Sequence, residues 1–362
     1  MSNASTPHPP FSATSPPIEP SPSDEELRRT LLAAYDAQLR GENEVADPRA
    51  RVERDGPLVR FTGIETGYIT GPRDLGVEGD ALDALIARQR DRYAELGVET
   101  EWKTRGHDAQ KDLPERLRAA GFVPDEPETV FVGRTEDLAR LEPRLPDGLR
   151  MRSVTSLADL RAIDAMNAEI WDESHAHADE LHRILTSSPE NMTVLLVEVD
   201  PDAAPAPTTH TTHTTHTTHT TRWRTPDVAS DAASHAARDA GAPAPYDATP
   251  DVPSHAAREA APATPHPASA TPTPPSTPLH ASRIEFVPGT DFAGLWGGST
   301  LAAWRGRGLY RATVAARARI AAARGVRYLQ VDASADSAPI LRRLGFLELT
   351  TTTPYIWTPP AG

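Results

Sequence analysis

Apolar and polar positions alternate along this chain in two distinct rhythms. Leu309, Thr313, Ala316, Ile320 and Ala323 recur three or four residues apart, which predicts an amphipathic helix over residues 309–324, packed on a sheet. The runs "MTVLLVEVD" (192–200) and "SRIEFVP" (282–288) are rich in β-branched residues and predict strands. Around them the second half reads strand (149–154), helix (157–170), helix (179–185), then those two strands and a third (292–300). Helix 309–324, strand 326–332, helix 337–344 and a last strand follow. Helices interleaved with a mixed sheet make the class α/β or α+β.

The first half repeats this order. "GDALDALIARQRDRYAELG" and "VETEWKT" stand where the second half has "LYRATVAARARIAAARG" and "VRYLQVD". "LRAAGFVPDEPETVFV" (117–132) matches "LRRLGFLELTTTTPYIW" (341–357), each a short helix ending in Gly-Phe before β-forming residues. A repeat of roughly 100 residues is a duplicated domain and not a solenoid unit. The expected division is 23–135 for the first copy, 136–147 for a linker and 148–358 for the second copy.

Composition removes two stretches from this scheme. Residues 1–22 are rich in Pro, Ser and Thr and too poor in apolar residues to offset ordering entropy. Residues 201–281 hold "HTTHTTHTTHTT", two related copies beginning "TPDV", and fifteen of the 36 prolines. They read as a disordered low-complexity insertion at the tip of a hairpin formed by the flanking strands, where added length costs little. There are no cysteines, which excludes disulfides and thiolate sites. A net charge of −14 speaks against nucleic acid as the partner. The amino terminus lacks a secretory pattern and no run approaches the ~18 apolar residues of a membrane span, so a cytoplasmic protein without membrane contact is expected.

The candidate chemistry lies in "AWRGRGLYRATVAARARI" (303–320). A strand runs through a short loop into a helix whose first turn carries unpaired N–H donors and the positive end of the helix dipole. Gly306 and Gly308 let bare backbone approach an anion, and Arg305 and Arg307 add charge-assisted donors. Together they make a pyrophosphate site without the lysine of a Walker loop or the spacing of a dinucleotide fingerprint.

With its loop, the helix after it, the "RYLQVD" strand and the "LRRLGF" junction, the second half resembles the GNAT superfamily of acyl-CoA-dependent N-acetyltransferases. The family loop is R/Q-x-x-G-x-G/A. Arg305 and Gly308 fill its first two defined places, and Tyr310 departs from the third. The resemblance implies two tandem domains, each a mixed, mostly antiparallel sheet flanked by helices, the first of them degenerate. It implies acetyl-CoA as co-substrate and a small-molecule primary amine as acceptor. The pyrophosphate would lie on Arg305, Gly306, Arg307, Gly308, Leu309 and Tyr310, with Leu301 on the pantetheine strand and Ser334 as a further cofactor contact. Metal plays no part in the implied reaction, and the oligomeric state is left open.

The same resemblance shows what is missing. The family's frequent general-acid tyrosine corresponds to Leu341, and its strand-end asparagine to Ser334. Glu285, Asp291 and Asp332 remain as candidate bases, and Tyr310 is a replacement acid. A non-catalytic CoA-binding or sensing protein is the alternative. In the first half "GPRDLGVEGD" stands in the loop position, and Asp74, Glu78 and Asp80 would repel a pyrophosphate. That copy is expected to bind no CoA. Finally, "IWDESHAHADELH" (170–182) gathers His175, His177 and His182 at no standard metal spacing. Trp171, Asp172 and Glu173 are expected instead to receive a cationic amine.

Overall fold

A computed structural model describes residues 22–45, 47–171, 177–203 and 277–360. The amino-terminal tail, Asp172, Glu173, His175 and most of the insertion lie outside the described residues. The first half runs α1 (Pro22–Leu39), β1 (Arg51–Asp55), β2 (Leu58–Thr62), β3 (Gly67–Thr70) and α2 (Gly79–Leu96). It ends with β4 (Thr100–Arg105), α3 (Leu113–Ala119), β5 (Val123–Pro124), β6 (Glu128–Arg134) and the short α4 (Thr135–Leu138). The second half runs β7 (Leu149–Val154), α5 (Leu157–Trp171), α6 (Ala178–Ser187), β8 (Met192–Val199), β9 (His280–Phe286) and β10 (Phe292–Thr300). After a 3₁₀ turn (Ala302–Trp304) come α7 (Leu309–Ala323), β11 (Tyr328–Ala333), α8 (Ala338–Leu344) and β12 (Leu347–Trp357).

All the strands join one 12-stranded sheet in the order β1-β2-β3-β4-β12-β6-β11-β10-β9-β8-β7, with β5 attached to β12. That order holds a feature absent from the residue pattern: the halves exchange their last strands. β6 of the first half pairs with β11 of the second (Val130 opposite Asp332), and β12 of the second pairs with β4 of the first (Thr353 opposite Thr104). β6 and β12 also pair with each other, so the sheet is not interrupted at residues 136–147, where a linker is expected. The cores follow the strands. Phe131 of β6 is buried with Val314, Leu329 and Phe346, whereas Tyr355 and Trp357 of β12 are buried with Trp102, Leu117 and Phe122. Each half is thus completed by apolar side chains of the other, at ~2 kcal/mol or more for each large side chain removed from water.

The insertion is narrower than its composition suggests. β9 begins at His280, and Leu279, His280 and Ala281 are buried. The Leu279 amide donates to Val197 O (2.8 Å) and Leu279 O accepts from the Leu301 amide (3.1 Å). The residue types at 277–281 continue the Pro/Thr/His bias of their neighbours, so composition alone does not mark where the strand begins.

Each half contains one parallel pair that opens. β10 and β11 pair only over Phe292–Gly294 against Tyr328–Gln330; beyond that β10 stays with β9 and β11 with β6. β3 and β4 pair only over Gly67–Ile69 against Thr100–Trp102, after which β4 continues along β12. The result is two crevices of similar origin.

Candidate active site

The loop before α7 has the backbone the anion argument requires. Gly306 and Gly308 adopt φ of +74° and +85°, in the left-handed region, and nothing lies within 4 Å of where a Cβ would stand on either. Gly308 is the N-cap of α7 and no side chain caps the helix, so the first-turn amides are available to a ligand. Arg305 and Arg307 are exposed; the Arg305 Nε donates to Thr300 O (3.2 Å), and the Arg307 guanidinium lies 4.6 Å from the Trp304 ring. Leu309 is 1 % exposed, so only its backbone is offered to a ligand. Leu301 is half-buried and anchors the loop through its amide.

Beyond the loop, the opening between β10 and β11 leads into a cavity of about 420 Å³. The walls come from both faces of the sheet. Ile284, Leu295 and Val331 pack with Val314 and Ala318 of α7, and Tyr310 and Arg317 line the cavity from that side. Strand alternation turns the neighbouring Arg283, Glu285 and Asp332 to the opposite face, toward α1, α5 and α6. β10 carries a bulge between Trp296 and Ser299, where the register with β9 shifts past Gly297 and Gly298. Their backbone groups leave the ladder and face the cavity. A Cβ on Gly298 would come within 2.7 Å of the Tyr310 ring, so this position and the tyrosine require one another.

Of the residues singled out in sequence, Tyr310, Glu285, Asp332 and Ser334 meet on this one cavity. Asp291 does not: it sits at the opposite end of β10, where it exchanges hydrogen bonds with Gln38 (2.7 and 3.1 Å). Glu285 is held by Arg283 at 2.5 Å. Asp332 accepts from Lys103 Nζ and from Gln330 Nε2, both at 2.6 Å. Lys103 belongs to β4 and so reaches the site from the first half; Asp332 and Glu101 hold its ammonium well above the usual lysine range. Tyr310 is raised by burial and therefore stays protonated at neutral pH. Leu341 is fully buried in the α8 core. Trp171 lines the cavity, and the described His177 and His182 are engaged locally, His182 Nδ1 lying 3.1 Å from Thr155 O.

Sequence reasoning missed Glu128. It is the first residue of β6, the strand lent by the other half, and it lines the cavity. Burial and the nearby Asp332 carboxylate push it up to about 7, against the opposing pull of Lys103. A carboxyl titrating near neutrality in a cleft is a candidate proton acceptor. Nothing in "DEPETVFV" marks its third acidic residue, Glu128, as special, because its neighbourhood is created by the strand exchange.

Behind the loop, His280 is sealed between Thr300 Oγ1 (2.7 Å) and Thr313 Oγ1 (2.9 Å). Thr313 donates to Tyr310 O, so Nε2 carries the proton and Nδ1 accepts from Thr300. Burial and Arg317 drive its pKa down to about 3, which keeps the ring neutral.

No family model matches the sequence, and no curated protein matches it either. Solved structures do. The GCN5-related N-acetyltransferase from Kribbella flavida aligns over 93 % of this chain and 95 % of its own, with 14 % identity and a TM-score of 0.51. A conserved protein of unknown function from Staphylococcus epidermidis aligns over 87 % and 96 %, with 11 % identity and the same TM-score. Identities this low bear on fold and on nothing finer. The chain has the fold of the GCN5-related N-acetyltransferases (GNAT), in two tandem copies that share one sheet.

Proposed function

We propose that the protein is an acyl-CoA-dependent N-acyltransferase whose single working site lies in the second half and whose acceptor is an amine. The observation that carries this reading is that Tyr310, the second residue of the helix starting uncapped at Gly308, lines the cavity where β10 and β11 part. The residues present fit an acyl-CoA. A glycine cradle and two exposed arginines stand at the helix start, and the parted strand edge leads inward from them. Bound there, acyl-CoA supplies a thioester carbonyl open to attack.

The chain's own residues have three tasks. An ammonium ion has no lone pair, so the acceptor must lose a proton before its nitrogen bonds the carbonyl carbon. Glu128 is the residue suited to take it, since it is half ionised near neutrality and accepts a proton at little cost. The freed backbone N–H groups at Gly297 and Gly298 suit the developing oxyanion. Tyr310, protonated and beside Gly298, suits delivery of a proton to the leaving sulfur as the C–S bond breaks. Burial is the main cause of the raised Glu128 titration, and the neighbouring Lys103–Asp332 pair adds two opposed pulls, Asp332 upward and Lys103 downward. Asp164, Glu180 and Glu285 give the far wall a negative character that favours a cationic amine.

Calorimetry with acetyl-CoA, followed by thiol release across an amine panel, tests the proposal. Binding with one site per chain and amine-dependent thiol release are expected. Binding without release for any amine would favour a sensor that keeps the fold alone.

A further inference from the structure

Among the described residues, three buried polar atoms on the cavity wall have no hydrogen-bond partner: Asn167 Oδ1, Ser282 Oγ and Arg317 Nη2. Buried polar groups are satisfied in the great majority of cases, so their convergence on one cavity points to a polar ligand. Arg317 is the most demanding of them. It is 1 % exposed and heads the fully buried side chains by volume. Its Nε donates to Thr313 O (3.2 Å) and its Nη1 to Arg283 O (2.9 Å) and Trp296 O (3.5 Å). All three acceptors are neutral carbonyls. Among the described residues no carboxylate pairs with Arg317, and the adjacent Glu285 is taken by Arg283. Burial lowers the guanidinium only to about 10, so it is cationic at neutral pH. In a chain of net charge −14, a cation is thus enclosed with no counter-ion among the described residues. Such an ion is costly unless something else neutralises it.

Its position indicates what that is. Arg317 lies two turns along α7 from Tyr310, on the same face of the helix that begins at the glycine loop. It also clamps Trp296 O, at the edge of the β10 bulge. The cation therefore borders the acyl end of the cavity, on the face opposite Glu128 and Asp332. Ser282 points to this same face, since it alternates with Arg283 along β9 and shares its side with Ile284.

We propose that Arg317, assisted by Ser282, receives a substrate carboxylate, so that the site selects an acyl donor with a terminal carboxylate over acetyl-CoA. The proposal rests on the acyl-CoA reading above. The reaction is unchanged: the thioester C–S bond still gives way to an amide C–N bond, and the second carboxylate remains a spectator held by the guanidinium. The acceptor is the other conceivable source of the same group, and the test separates the two.

The full-length protein is titrated calorimetrically with CoA, acetyl-CoA and succinyl-CoA. Thiol release is then measured with amines that do or do not carry a carboxylate. The expected result is binding of all three thiols or thioesters, with succinyl-CoA about ten- to a hundredfold tighter than acetyl-CoA, as a charge-assisted pair supplies. In Arg317→Met and Arg317→Lys that difference collapses toward unity in the first and partly survives in the second, while CoA itself binds as before. If either variant unfolds, the wild-type comparison still decides. A carboxylate preference confined to the amine panel supports the receptor and assigns its ligand to the acceptor. Equal handling of every pair in both panels overturns the proposal and leaves the acyl-CoA reading standing. Absence of binding to CoA itself removes that reading, and this inference with it.

Discussion

The two crevices of the sheet started from the same plan and have opposite interiors. In the first half the gap beyond Ile69 and Trp102 is closed by Arg105, whose side chain is fully buried. Arg105 donates to Thr70 Oγ1 (3.2 Å) and Lys103 O (2.8 Å), touches Tyr35 Oη (3.4 Å), and forms an ion pair with Glu44, which in turn accepts from Tyr68 (2.6 Å). Tyr35 arrives from α1, and burial raises both tyrosines so that they remain donors. The loop that would face a phosphate carries Asp74 and Glu78. In the second half the corresponding gap is lined by glycines, and its cation, Arg317, has no carboxylate partner among the described residues. The lesson is that duplication preserved the parting of the strands, while side chains decided which gap stays open. The closed copy still contributes to the open one, since Glu128 lines the open cavity and Lys103 pairs with Asp332 on its wall.

This contrast can be broken at several points, taken from the largest expected effect downward. Glu128→Gln removes the proton acceptor that the closed half supplies, and kcat falls by about 10²–10⁴ with little change in acyl-CoA affinity. In the wild type the rate rises through about pH 7 as Glu128 ionises, and the variant loses that limb. A pH profile without a limb near neutrality would remove Glu128 from the reaction.

Glu44→Gln attacks the closed crevice. It strands the buried Arg105 charge and costs about 3–5 kcal/mol in denaturant unfolding. The double variant Glu44→Gln with Arg105→Met recovers most of that loss. Neither variant adds a second CoA site, because the acidic loop remains. A stoichiometry of two would show that the ion pair alone closed the crevice.

Arg305→Ala weakens CoA binding by about ten- to a hundredfold through loss of one charge-assisted phosphate contact. The matched change in the first half, Arg73→Ala, leaves binding unaltered. Equal effects from both would erase the distinction between the loops.

His280 gives a smaller effect, read as pH dependence of stability. Its folded pKa, about 3, lies below the ordinary value of 6.5, so an unfolded chain binds a proton that the folded one refuses. The stability it contributes is fully present above about pH 6.5 and is lost as pH falls toward 3. His280→Gln should flatten the denaturant midpoint across that window. An unchanged slope would mean the imidazole is not sealed.

The smallest effect is expected from replacing residues 204–276 with a short turn, because the β8–β9 ladder is complete from Val197 and His280 inward. The melting transition should be unchanged. Extending the deletion through Ala281 removes buried β9 residues and should lower it clearly. If both deletions behave alike, the strand boundary at His280 is misplaced.

How much of this was legible in sequence depends on the range of the interaction. The helix at 309–323, the Gly-Phe junctions and the strands flanking the insertion are set by local periodicity and by turn residues, and they stand within two residues of where the pattern put them. The glycine loop was legible for the same reason, because backbone conformation at Gly306 and Gly308 is a local property. The wall of the cavity was not. Tyr310, Glu285 and Asp332 came from matching one half to its family pattern, and that method searches within a half. Glu128 and Lys103 lay in the other half, whose own loop spoke against any site. Asp291 looked as suitable as Asp332 in sequence, and only the direction of β10 and β11 showed that it lies at the closed end.

By itself, then, the chain's residue order set a repeated α/β order of elements, one glycine-rich helix start in the second half, and an acidic loop at the matching place in the first. Each follows from short-range physics: side-chain period, allowed φ, and charge beside a helix end. Tertiary structure decided that the halves trade strands, that a carboxylate of one half titrates near neutrality inside the other, and that Arg317 is enclosed without a counter-ion among the described residues. Those outcomes turn on which strand edges meet and how far water is excluded.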